Sequence, residues 1–361
     1  MLEGIRVLDF TMLLPGPYAS LRLADLGAEV IKIEPPGGDP ARHVQSAAVF
    51  NANNRNKSSI TIDLKTLEGK AQALTLLKET DVVLEGFRPG VADRLGIGFE
   101  AAQAVNPQII YCSLTGYGQT GPMRDLAGHD INYMAMSGLL AQLSDQENRP
   151  VVPKIQMADL VGGIVASEAV LAALVARSKS GQGQHLDVAM ADAMMGLLTT
   201  HVLIEDTAGY PYGVEQLGGS VVCYNLYQTA DRRYVSLGVL EPKFWQTFCK
   251  AVEHPEWISQ QFSAAREENP VFQAISRLFL QHNLEFWATL GRDVDCCLQP
   301  VLNVGEVAGS IYAQERNMVF DLPTREGRRL RLVSTHAGGR MASGTGQGFL
   351  EPPELSHRPL Q

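Results

Sequence analysis

Two side chains from separate parts of this sequence have the chemistry needed for proton transfer. His129, one of only eight histidines, stands in Gly128-His129-Asp130-Ile131-Asn132-Tyr133, after the loop Thr115-Gly116-Tyr117-Gly118-Gln119-Thr120-Gly121-Pro122. Asp159 follows thirty residues later, in Met157-Ala158-Asp159-Leu160-Val161-Gly162-Gly163, where a long helix is expected to begin. A carboxylate there accepts bonds from free backbone amides and is stabilised by the helix dipole. The same amides can hold a developing oxyanion. An imidazole and a carboxyl group near such donors are the parts of a two-base site. Each also has a bland reading. An Asp at a helix start is the usual N-cap, a His beside an Asp in a Gly-bounded loop is commonly just a hydrogen-bonded loop residue, and spacing alone does not join the two.

A second set is cationic. Lys57 in Asn54-Arg55-Asn56-Lys57, Lys65 in Asp63-Leu64-Lys65, and Arg88 and Arg94 in Gly86-Phe87-Arg88-Pro89-Gly90-Val91-Ala92-Asp93-Arg94 all fall near expected strand ends. Ligands of open α/β sheets bind there, and Arg suits phosphate. For any one of them a solvated surface charge is the simpler account; their grouping in one domain favours a ligand role for the set. The chain as a whole is acidic, with 30 Lys and Arg against 39 Asp and Glu and a net charge of −9. Nothing in that balance attracts nucleic acid or an anionic membrane, so a phosphate-bearing ligand must be held by a few local cations.

The elements that would position these groups follow from patterning. With 361 residues, two or three domains are expected. Strands are read at Ile5–Phe10, Glu29–Glu34, Ser59–Asp63, Asp81–Glu85 and Gln108–Ser113, with helices at Tyr18–Leu26 and Leu67–Lys78. This strand–helix alternation predicts a mostly parallel sheet in a Rossmann-like large domain. Glu34 ends the second strand where a ribose-binding acid would sit, but the turn Thr11-Met12-Leu13-Leu14-Pro15-Gly16-Pro17 lacks the glycine fingerprint, so a nicotinamide site is not expected. A long helix is predicted over Asp159–Ser178, stopped by Gly181-Gln182-Gly183, then a strand at Gln184–Val188 and one helix over Ala191–Ile204. The large domain spans residues 1–200. Residues 215–325 form a smaller α+β domain, with a hairpin at Cys223–Thr229 and Arg233–Leu240 and helices at Pro242–Val252 and Val271–His282. The segment 326–361 returns to the large domain, and His336–Gln361 is read as irregular. The most apolar stretch, Leu160–Ala176, is too short and too interrupted by charge for a membrane span and reads as a buried helix. The N-terminus shows no signal core. Five cysteines without a CxxC spacing point to neither a disulfide framework nor a metal site. A cytoplasmic, reduced protein is expected.

Taken together, Asp9-Phe10 through Pro15-Gly16-Pro17, Asp25-Leu26-Gly27-Ala28-Glu29-Val30-Ile31-Lys32-Ile33-Glu34, Asn54-Arg55-Asn56-Lys57-Ser58, Glu85-Gly86-Phe87-Arg88-Pro89-Gly90 and Thr115-Gly116-Tyr117-Gly118-Gln119-Thr120-Gly121-Pro122 resemble the class III CoA-transferase (CaiB/BaiF) superfamily. The resemblance covers residues 1–200 and continues more weakly to about 325. It implies an α/β large domain, a smaller domain, and a homodimer whose chains interlock, with each active site between the large domain of one chain and the small domain of the other. It also implies an acyl-CoA substrate and no separate cofactor, since CoA is part of the substrate.

Within the superfamily the aspartate matching Asp159 serves two chemistries. Transferases use it as the nucleophile that takes up an acyl group. In 2-methylacyl-CoA racemases it pairs with a histidine to exchange the α-proton. The segment Gly128-His129-Asp130-Ile131-Asn132-Tyr133 is similar to the racemase motif, and the four-glycine run of the formyl-CoA transferase type is missing. The resemblance therefore implies His129 and Asp159 as the two bases, His129 serving the S-substrate and Asp159 the R-substrate. Asp130 would hold the imidazole, and Glu241, in Leu240-Glu241-Pro242-Lys243-Phe244, matches an acid that orients the site from the partner chain. Lys65, Gly86, Phe87, Arg88 and Arg94 would contact CoA, with Lys57 in the same cationic group, and Gly128 and Tyr133 would line the thioester end. Some bacterial racemases carry an Arg in the segment that reads Ile33-Glu34-Pro35-Pro36 here, so that nucleotide contact is either absent or moved to Arg42. The alternatives are an acyl-CoA:carboxylate CoA-transferase using Asp159 as nucleophile and a non-catalytic CoA-binding protein. The acyl chain is not legible.

Overall fold

A computed structural model of the chain describes residues 1–145, 147–323 and 327–336. The chain folds into two compact units, one comprising Met1–Leu198 and the chain from Ile311 onward, the other Thr199–Ser310. The second unit thus opens at residue 199 rather than 215 and closes at 310 rather than 325.

The first unit is built on six parallel strands: β1 Arg6–Asp9, β2 Glu29–Glu34, β3 Lys57–Thr61, β4 Val82–Glu85, β5 Ile110–Thr115 and β6 Gln184–Ala189. Their order across the sheet is β3-β2-β1-β4-β5-β6, so the winding direction reverses between β1 and β4. Apolar runs such as Val82-Val83-Leu84 lose all their solvent exposure, as strands covered on both faces must. Successive residues alternate between two cores. Val7, Val82, Leu84, Ile110 and Cys112 pack under the helices Pro15–Asp25 and Met157–Ser180. Leu8, Val83, Ile109 and Tyr111 pack on the other face with Ala73 and Leu77 of the helix Leu67–Leu77 and Ala102 of the helix Phe99–Val105.

The helix Met157–Ser180 has 24 residues and is long and apolar enough to cross a membrane by length and composition alone. Its buried stripe (Ala158, Gly162, Gly163, Ala166, Ser167, Val170 and Ala173) nevertheless belongs to the core of the first unit. Small residues let the backbones approach: a Cβ on Gly163 would lie 2.6 Å from the carbonyl oxygen of Pro15. The single helix expected over Ala191–Ile204 is instead two, Met190–Gly196 and Thr199–Ala208. Leu197 N–H closes back onto the carbonyl of Met194 at 3.2 Å, and the interruption coincides with the end of the first unit.

Past Ile311 the chain forms an antiparallel pair that the sequence did not reveal, Val319–Pro323 with Arg329–Val333. Thr335 then docks on the first unit, its carbonyl accepting from Arg22 Nη1 at 2.6 Å and its hydroxyl donating to Asp25 at 2.7 Å. The irregular tail expected over His336–Gln361 lies, beyond His336, outside the described residues.

The second unit pairs Tyr224–Gln228, Tyr234–Gly238 and Leu298–Pro300 in an antiparallel sheet, with helices Pro242–Ala251, Pro270–Phe279 and Leu284–Val294. Its core is aromatic: Tyr227 stacks on Phe279 at 4.9 Å, and Phe279 meets Trp287 at 4.7 Å. Both buried indoles find acceptors, Trp245 at the carbonyl of Trp257 and Trp287 at that of Phe279, each at 3.0 Å, as buried indole N–H groups require.

Substituting Gly163 by Ala forces a side chain against the Pro15 carbonyl, a backbone atom that cannot rotate away. The variant is expected to lose about 1–3 kcal/mol of stability, the usual cost of overpacking, measured as a lower urea midpoint with an unchanged slope.

Candidate active site

The point where a parallel sheet reverses its winding leaves a crevice at the carboxyl ends of the strands. A cavity of about 250 Å³ opens there. Its walls come from the segments after β1 (Thr11, Met12, Leu13) and after β4 (Gly86, Phe87, Arg88), from the end of β5 and the residues after it (Thr115, Gly116, Tyr117), and from Arg124, Leu126, Ala127, Gly128, Tyr133 and Met190. The structure thus gathers five of the expected ligand residues, Gly86, Phe87, Arg88, Gly128 and Tyr133, in one place. Tyr133 fits because it is flanked by glycines. A Cβ on Gly116 or Gly128 would come within 2.4 or 2.7 Å of its ring. Its hydroxyl donates to the Gly128 carbonyl at 2.5 Å, and its ring packs edge-on against Tyr117 at 5.1 Å.

His129 is exposed and is the N-cap residue of the helix Asp130–Met136, its N–H bonded to the side chain of Asn132 at 3.0 Å. Asp159 is not the N-cap of the long helix, as its position in the sequence invites; Gln156 is, and Asp159 stands in the first turn. The capping carboxylate belongs to Asp130, whose Oδ1 accepts from the N–H groups of Ala158 at 2.6 Å and Asp159 at 3.1 Å. Two expectations change as a result. Asp130 is committed to the helix terminus rather than to the imidazole, and those two amides are occupied rather than open to an oxyanion. The same bonds fasten the residue after His129 to the backbone of Asp159, whose carboxyl group feels the charge of the imidazole; neither side chain is among the walls of the cavity.

The electrostatics of Asp159 follow from this arrangement. Burial pushes its pKa up to about 6, the negative charge of Asp130 adds to the rise, and the charge of His129 opposes it. Burial likewise raises the Tyr133 phenol to about 12, helped by Tyr117 and the charge of Asp159 and opposed by Arg88. Tyr133 therefore senses both Asp159 and Arg88.

Other expected residues lie elsewhere. Lys57 is fully buried, its ammonium donating to Asp9, Ser20, Asn54 and the Pro17 carbonyl at 2.8–3.1 Å. It is removed from the ligand set, because all its donors are spent on the protein. Arg42 forms a two-pronged pair with Glu34 at 2.6 and 2.8 Å and covers the ring of Phe50, so Glu34 is no free ribose acceptor. Lys65 and Arg94 are exposed beyond the cavity walls, and Arg94 curls back toward Gly90. Glu241 is the exposed N-cap residue of the helix Pro242–Ala251 in the second unit. Sequence reading missed Thr11, Met12, Leu13, Tyr117 and Arg124 as wall residues. Their signal was present: the first three replace the glycine fingerprint after β1, and the others fall in or beside the Gly-rich loop before His129.

Glu85, at the end of β4, lies beneath the wall. Its carboxylate accepts from Phe87 N–H at 2.8 Å, and burial drives its pKa up to about 7, against the hydrogen bonds from Ser113 and Phe87.

Two measurements test these assignments. Asp130→Ala orphans two amides and is expected to cost about 0.5–2 kcal/mol, as the loss of a cap usually does. Asp130→Asn keeps an acceptor there and removes the charge, so it should retain stability while lowering the Asp159 pKa from about 6, seen as an acid limb displaced to lower pH in the rate profile. For Glu85 the folded state binds the proton more tightly than the unfolded chain. Its contribution to stability is therefore full below pH 4.5 and is lost as pH rises through about 7. Glu85→Gln should flatten the dependence of Tm on pH between about 5 and 8; an unchanged slope would refute the assignment.

Comparison with known proteins agrees with this architecture. The family model for CoA-transferase family III matches residues 2–357. An acyl-CoA transferase of Fusarium pseudograminearum is 33% identical over 346 residues, covering 89% of this chain and 75% of that protein. Human alpha-methylacyl-CoA racemase is 32% identical over 323 residues, covering 87% and 81%. Succinate–glutarate CoA-transferase of Agrobacterium fabrum is 32% identical over 355 residues, covering 92% and 88%. The crystal structure of Rv3272 from Mycobacterium tuberculosis superimposes with a TM-score of 0.84 at 31% identity, over 98% of this chain and 96% of that one. With the parallel sheet, the crevice at its reversal point and this coverage in hand, the chain belongs to CoA-transferase family III.

Proposed function

We propose that this enzyme racemises 2-methylacyl-CoA thioesters by removing the α-proton on one face and returning a proton on the other. The observation that carries the reading is the bond from Asp130 to the amide of Asp159, which holds the residue after His129 against a carboxyl group whose pKa is about 6. A carboxyl group in that range exchanges protons in both directions near neutrality, as a two-base mechanism demands. In one direction neutral His129 takes the α-proton, the C–H electrons move into the thioester as an enolate, and protonated Asp159 delivers its proton to the opposite face. That leaves His129 charged and Asp159 ionised, the starting pair for the reverse direction. No cofactor beyond the CoA of the substrate is needed. Arg88, in the wall of the cavity, would hold the diphosphate, with Gly86 and Phe87 alongside and Gly128 and Tyr133 toward the thioester. Lys65 and Arg94 remain available to the distal phosphate.

The assembly proposed is an interlocked homodimer in which Glu241 of one chain completes the site of the other. Large apolar side chains left exposed, among them Val175, Leu197, Val202 and Leu203, support burial against a second copy. A CoA-transferase is the second reading, favoured by relatives that bear that name. Asp159 would then attack the thioester carbonyl, releasing CoA thiolate and forming a mixed anhydride.

Incubation of S-2-methylacyl-CoA in deuterated water separates these readings. α-Deuterium and R-product should appear together, and His129→Ala and Asp159→Asn should each lower exchange by about a hundredfold or more, the scale of general-base loss. Full exchange in His129→Ala would sink the assignment. Absence of exchange, with hydroxylamine trapping an acylated Asp159 in the presence of a carboxylate acceptor, would establish the transferase.

A further inference from the structure

The wall of the cavity formed by Thr11, Met12 and Leu13 is held by charges that nothing in the reaction uses. Thr11 N–H donates to Asp9 at 2.9 Å, the Thr11 carbonyl accepts from Lys32 Nζ at 2.7 Å, and Leu13 N–H is shared by the two oxygens of Asp39 at 3.1 and 3.3 Å. Lys32 and Asp39 pair with each other at 2.9 Å, and neither side chain has any solvent exposure. The three-residue arch is thus clamped at both ends by one ion pair.

Two features of the arch oppose stability. Burying a lysine and an aspartate costs more than filling the same space with apolar side chains commonly does. Leu13 holds φ at +67°, the left-handed region that favours glycine, and yet leaves its large apolar side chain 47% exposed. Strain of this kind persists where surrounding structure over-determines it, and such places cluster at ligand contacts. The arch follows β1 at the reversal point of the sheet, where a glycine-rich loop would otherwise stand, and forms one wall of the cavity. The fold itself needs only a connection from β1 to the helix Pro15–Asp25.

We infer that Lys32 and Asp39 are positioning residues for substrate binding: their buried pair fixes the Thr11–Leu13 arch in its ligand-ready shape, so that acyl-CoA meets a wall already ordered. The pair touches no reacting atom and acts through the backbone of the arch. Its effect falls on binding, because ordering a loop at the moment of association is subtracted from affinity. This rests on the acyl-CoA reading above.

The test uses the full chain and propionyl-CoA as probe. Lys32→Met combined with Asp39→Asn removes both charges while an amide oxygen still serves the Leu13 and Ala41 N–H groups. Amide hydrogen exchange in the segment 11–13 of the ligand-free protein should accelerate about tenfold. The Kd for propionyl-CoA should rise about tenfold, while α-deuterium exchange into saturating S-2-methylacyl-CoA stays within about threefold of wild type, a change in binding alone. Unchanged exchange in the arch, or faster exchange with unchanged Kd, would overturn the inference. Should the double variant fail to fold, Leu13→Gly supplies the second arm: it relieves the left-handed strain, so Tm should rise while propionyl-CoA binding weakens. Binding as tight as wild type would again overturn the inference. Failure of the wild-type protein to bind propionyl-CoA would instead sink the acyl-CoA reading, since arch exchange is read without ligand.

Discussion

Everything proposed for the site depends on one carboxylate oxygen, Oδ1 of Asp130, accepting from the first-turn amides of the helix Met157–Ser180. It adds to the packing of Tyr133 and Met134, from the helix that His129 caps, in the same core as Ala158 of the long helix. With it, the N-terminus of a short helix is locked to the N-terminus of a 24-residue one, and the long helix is itself immobilised by close packing of Gly163 on Pro15. The same bond bears on the chemistry. Burial, the larger influence, and the negative charge held beside Asp159 together bring its pKa to about 6, so Asp130 contributes to position and protonation state alike.

A similar coupling runs beneath the strand ends. Asp9 ends β1, Lys32 lies within β2, Asp39 follows β2 and Lys57 opens β3, and all four are buried. Lys57 and Lys32 counter the strong desolvation of Asp9, and its pKa falls to about 2. Their partners include the carbonyls and amides of the segment Thr11–Pro17. A glycine-rich loop shapes a crevice by allowing close approach of its own backbone; here the backbone is apolar, crowded and fixed from below by charge. That difference explains how a sheet with the order β3-β2-β1-β4-β5-β6 offers a ligand crevice without the dinucleotide fingerprint.

Much of this was legible in the sequence, for physical reasons. Strands covered on both faces are continuous apolar runs, so β1, β2 and β4 were read to within a residue or so of their bounds. The long helix announced itself by length and by its glycine stop at Gly181. What failed was whatever depends on a partner distant in sequence. Lys57 looked like a phosphate ligand because its register with Asp9, 48 residues away, cannot be seen before the sheet is assembled. Asp159 looked like a cap because the true cap comes from Asp130 across a loop. The hairpin Val319–Pro323 with Arg329–Val333 was missed because Asp321, Arg329 and Arg331 interrupt it with charges that pair across the two strands.

The choice between proton transfer and acyl transfer turns on what a carboxyl group of this pKa can do. A nucleophilic aspartate must be ionised, and a carboxyl group with a pKa of about 6 is still largely so at neutral pH. A proton-exchanging aspartate benefits from lying near neutrality, which burial and the charge of Asp130 produce. A histidine in reach of Asp159 contributes little to anhydride formation, whereas inversion at an α-carbon needs a second group able to hold a proton. The racemase reading proposed above therefore rests on the environment of Asp159, its burial and the charge of Asp130, rather than on its mere presence.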